Sequence, residues 1–131
     1  AGIAAKALKE VTYHLRRSSE WIKRLGDGTE ESHRRMQDAV DLLWRFTGEL
    51  IQPDEVDQQI AKAGIGPDPE QLRDDWRGMV KAVLQEATLT PQPDDAWMYL
   101  GGKRGEHTEH LGFILAEMQF LQRAYPDAKV W

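Results

Sequence analysis

Apolar side chains recur almost throughout this chain at steps of three and four, and the runs stop at glycine or proline, so helices are the regular structure the sequence is built to form. Ile3, Ala7, Val11, His14, Ser18, Ile22 and Leu25 make one stripe over about residues 2 to 25, closed by Gly26-Asp27-Gly28. Thr29 is placed as an N-cap, with Glu30 and Glu31 suiting the first-turn dipole, and Met36, Val40, Leu43, Phe46 and Leu50 carry a second stripe to Ile51. Pro53 stops it. Asp54 to Ala63 reads as a short helix closed by Gly64, and Gly66-Pro67-Asp68-Pro69 as a connector to a long helix with Leu72, Trp76, Met79, Val80, Val83 and Leu84 inward. Pro91 and Pro93 exclude regular structure from Thr88 to Asp95, which is expected to be an extended surface strap. A last helix is expected from about Gly105 to Ala124, with Leu111, Ile114, Leu115, Met118 and Leu121 on its apolar side. No segment alternates as a strand would. The expectation is an all-α chain, residues 1–131 forming a single all-helical region.

Charge narrows what such a helical chain can do. A net charge of −5 over 131 residues argues against nucleic acid as a partner, which requires a basic stripe to displace phosphate counterions. No apolar run approaches the ~20 residues of a membrane span, and no basic segment followed by an apolar one suggests export. Cysteine is absent, so disulfide and thiolate chemistry are excluded, in keeping with a cytoplasmic location. The chain opens at Ala1 inside a helical stretch, which reads as a fragment of a longer protein.

The first helix has the outline of a metal site with a ligand replaced. Glu and His three residues apart share a helix face and bind one metal ion together in di-iron four-helix bundles. Counting back three from His14 lands on Val11; Glu10 is four residues away, a different spacing. Glu10, Val11 and His14 therefore read as vestigial metal-site positions. The plainer reading of His14 is a hydrogen-bonded core histidine, and Lys9, Glu10 and Arg16 or Arg17 read either as ion pairs in a vacated cavity or as a solvated face. Glu30 and His33 have the ligand spacing, but capping and surface charge explain them more simply.

Two further groups invite a functional reading. Glu106, His107, Glu109 and His110 form the densest titratable cluster, confined to little more than one turn, which suits a partner contact or a dipole patch better than a metal. Lys103 and Arg104 follow two glycines and suggest an anion-receptive or coenzyme A contact, against the commoner outcome of a basic loop without a ligand. Trp21, Trp44, Trp76, Trp97 and Trp131 are many aromatic anchors for a chain of this length, and Trp97 and Tyr99, just after the proline strap, are placed at a partner interface together with Glu106, His107 and His110.

Several long strings carry a resemblance. Lys9-Glu10-Val11-Thr12-Tyr13-His14-Leu15-Arg16, the segment from Arg24 to Met36, His107-Thr108-Glu109-His110-Leu111-Gly112, and the segment from Ala116 to Pro126 resemble the C-subunit family of bacterial phenylacetyl-CoA 1,2-epoxidases, over essentially the whole chain. The resemblance implies a ferritin-like helical bundle, of which this chain is the C-terminal portion: the last core helix followed by accessory helices. It implies a structural subunit with no catalytic residues, metal or cofactor of its own, which docks and stabilises a related A subunit that holds the di-iron centre and binds the thioester. Other oxygenase components, a reductase drawing electrons from NADPH, and a second copy of the chain are the further partners implied. The A subunit has Glu-x-x-His where this chain has Val11 and His14, so the ligand set fails to transfer at Val11. Two other readings stay open: a stand-alone di-metal oxidase using Glu30, His33 and residues 106–110, and a coenzyme A-binding helper module using Lys103 and Arg104.

Overall fold

The computed structural model describes residues 2–129, and among them six α-helices and three short 3₁₀ turns are the only regular elements. Trp131 lies outside the described residues. The chain divides into two compact units, the first ending at Tyr99 and the second starting at Leu100.

In the first unit, α1 (Gly2–Gly26) and α2 (Glu30–Leu43) meet at the turn predicted from Gly26-Asp27-Gly28. Thr29 caps α2 reciprocally: its Oγ1 accepts from the Ser32 amide at 3.2 Å, and Ser32 Oγ accepts from the Thr29 amide at 3.0 Å. α3 (Glu55–Lys62) repeats the device with Asp54 and Asp57, and α4 (Pro69–Glu86) starts at Asp68, whose carboxylate accepts from the Glu70 amide at 2.9 Å. The core lies where three of these helices converge. Leu84, Ala87 and Leu89, at the end of α4 and just past it, are buried against Ile22 of α1, Met36 and Val40 of α2, Trp44 and Val80.

Gly26 marks the closest approach. A Cβ there would sit 2.5 Å from the Ala87 carbonyl oxygen and 2.8 Å from the Ala87 Cβ, so only glycine lets α1 close on the end of α4. The apolar stripe of α1 is packed only near that end. Ile3 is 89% exposed, and Leu8, Val11 and Leu15 are exposed as well.

The second stripe does not continue as one helix to Ile51. α2 ends at Leu43 and gives way to 3₁₀ turns at Trp44–Phe46 and Gly48–Leu50. The Thr47 hydroxyl and amide both bond the Trp44 carbonyl, at 2.8 and 3.0 Å, which tightens the chain to the 3₁₀ repeat. Gly48 then admits Met98, whose Cβ would lie 2.9 Å from any Cβ added there.

The expected extended surface strap from Thr88 to Asp95 is shorter and partly buried: Thr88, at φ +60°, closes the end of α4, Asp94 and Asp95 form a turn, and only residues 89–93 between them are free of turns, with Leu89 in the core. Across it, the Gln37 side chain of α2 pairs with Thr90 as a neighbouring strand would: Oε1 accepts from the Thr90 amide at 2.9 Å and Nε2 donates to its carbonyl at 3.0 Å. One turn on, Asp41 Oδ1 accepts from both Gln37 Nε2 and Gln92 Nε2, at 2.8 and 2.6 Å.

In the second unit the predicted single helix is two, α5 (Glu109–Met118) and α6 (Phe120–Ala124), and the start is later than expected. Gly101 and Gly105 adopt φ of +116° and +87° on either side of a 3₁₀ turn at Gly102–Arg104, so the helix cannot begin before this turn is complete. Leu111 and Leu115 are half-buried, whereas Ile114, Met118 and Leu121 are exposed. Among the described residues, no helix is long and apolar enough to cross a membrane.

Candidate functional site

Helix α1 places Glu10 and His14 as their spacing requires, with Oε2 and Nε2 3.8 Å apart. Both side chains are about 70% exposed, so His14 is not the core histidine its place on the stripe suggested. The Tyr13 ring meets the imidazole edge-on at 5.8 Å. Val11, one turn before His14, offers two methyl groups where an oxygen donor would be needed. Arg16 and Arg17 form no ion pair among the described residues; their guanidinium groups lie over Tyr13 and Trp21, at 5.8 and 5.4 Å from the ring centroids. Among the described residues, no group of three or more His, Asp or Glu side chains could hold a metal ion. Glu10 and His14 are thus two donors on one turn of α1, with Val11 in the position where a Glu-x-x-His pair has its carboxylate.

His33, three residues after Glu30, is engaged elsewhere. Its Nδ1 lies 2.7 Å from the Gly26 carbonyl oxygen, which can only accept, so the proton is on Nδ1 and the bond ties α2 back to the end of α1. The Thr88 hydroxyl approaches the same carbonyl at 3.4 Å and His33 Nδ1 at 3.3 Å. Glu31 takes both neighbouring arginines, Arg34 and Arg35, at 3.1 and 2.7 Å. The Glu30–His33 match therefore belongs to the capping and packing of α2.

Lys103 and Arg104 stand in the 3₁₀ turn of the second unit, as the glycines suggested, but the backbone there is turned inward. The amides of Arg104 and Glu106 both donate to the Gly101 carbonyl at 2.9 Å, and the Gly105 amide donates to Gly102 at 3.1 Å. An anion at this turn would meet side chains and few amides. Glu106 and His107 precede α5, so no i, i+4 helix geometry links Glu106 to His110; the Glu106 carboxylate instead packs beside Gly101. His107 and His110 are exposed.

The aromatic residues are the most organised exposed feature of the first unit. Tyr99 stacks on Phe46, with centroids 5.2 Å apart and 11° between planes, and meets Trp97 edge-on at 4.6 Å. The Tyr99 amide donates to the Arg45 carbonyl at 2.7 Å, which fixes this ladder to the turn after α2. Trp97 remains 66% exposed. The predicted contact residues Trp97 and Tyr99 thus lie together, with Phe46, a residue whose spacing places it on a helix stripe, as a third member. A second aromatic pair, Trp44 and Trp76, lies with centroids 6.0 Å apart.

Comparison with known proteins gives these features a family. The family described as "Phenylacetic acid catabolic protein" matches residues 1–131. The C subunit of the 1,2-phenylacetyl-CoA epoxidase of Escherichia coli (strain K12) is 52% identical over 126 residues, covering 96% of this chain and 50% of that protein. The chain spans about half the length of this curated relative. Among the described residues the fold has no strand, in agreement with the ferritin-like helical architecture of the family. A match over all 131 residues, together with a relative 52% identical over 126 residues, means that this chain belongs to the phenylacetic acid catabolic protein family.

Proposed function

We propose that the chain is part of a catalytically silent, structural subunit of a phenylacetyl-CoA 1,2-epoxidase, and that the subunit docks and stabilises a related di-iron oxygenase subunit in aerobic phenylacetate breakdown. The observation that carries this reading is the 52% identity to the C subunit of such an epoxidase. Val11 supports the silence: an alkyl group in the ligand position supplies neither a lone pair nor the negative charge that would offset a ferrous or ferric ion. The ladder of Phe46, Tyr99 and Trp97 supports docking, because Trp and Tyr are enriched among the residues that carry most of the binding energy at protein interfaces. The same reading places the subunit in the cytoplasm.

The test is co-expression of the full-length protein with its cognate catalytic subunit. Co-purification as a stable complex, epoxidation that falls sharply when this subunit is withheld, and only traces of iron in the subunit purified alone are expected. About two equivalents of tightly held iron in the lone subunit, as a di-metal oxidase would hold, would overturn the silent role. Full turnover by the catalytic subunit alone would overturn the docking role. Loss of coenzyme A affinity on replacing Lys103 and Arg104 with alanine, with complex formation intact, would favour the helper-module reading instead.

A further inference from the structure

We draw no further inference here: the strongest candidate, the exposed apolar stripe of α1 through Ile3, Leu8, Val11 and Leu15, is an unpartnered helix face, and nothing in the structure shows what covers it.

Discussion

Thr88 occupies the position after α4 that Gly64 occupies after α3, and the two turns close with the same pair of backbone bonds: Thr88 to Gln85 and Leu89 to Leu84 in one, Gly64 to Ala61 and Ile65 to Ile60 in the other. Both residues have left-handed φ, +60° and +68°. For threonine that conformation costs about 1–2 kcal/mol, and the compensation is a hydroxyl placed between the Gly26 carbonyl and the His33 ring. Thr88→Val keeps the strain and loses the hydroxyl, so it should destabilise the protein by about 1 kcal/mol. Thr88→Gly removes both and should be the milder change in urea unfolding of the full-length protein. Gly26→Ala forces a methyl group onto Ala87, which is fully buried, and should cost about 1–3 kcal/mol by the same measurement. A neutral result would mean that α1 and α4 can part without loss.

Helix ends follow local chemistry. Thr29→Ala removes one half of the capping box of α2 and should lower stability by about 1 kcal/mol, with a matching loss of helical circular dichroism. This level is the most legible in the sequence: Thr29 and Asp54 begin helices, Gly26 and Gly64 end them, and Pro91 and Pro93 keep the strap irregular, because each acts through its own backbone or its nearest neighbours; Pro69, read as the end of a connector, is already the first residue of α4. What the sequence hides lies in contacts across the chain. Trp44 and Phe46 continue the spacing of α2, yet the backbone there is 3₁₀ because Thr47 captures a carbonyl and Gly48 receives Met98, 50 positions further on. His33 matches a ligand spacing with Glu30, but its bond to Gly26 depends on the turn that brings α1 and α2 together. The aromatic contact residues are readable as types and places. Their stacking on Phe46, and the pairing of Trp44 with Trp76, require the fold.

At the scale of the whole molecule, much apolar surface is exposed. α1 shows Ile3, Leu8, Val11 and Leu15 to solvent, and the ladder adds Trp97. Under the docking proposal, Trp97→Ala in the full-length subunit should weaken its association with the catalytic subunit by about tenfold or more while leaving its own unfolding midpoint nearly unchanged, since the ring supports little of the core. Calorimetric titration and urea unfolding measure the two effects separately. The Gln37–Thr90 pairing spans 53 positions and fastens a segment devoid of helix or sheet to the side of α2. An exposed amide so held is released when one glutamine side chain swings away, with no helix disturbed. In deuterated solvent, the Thr90 N–H should therefore exchange more slowly than a free amide but faster than the core of α4, and Gln37→Ala should remove that partial protection.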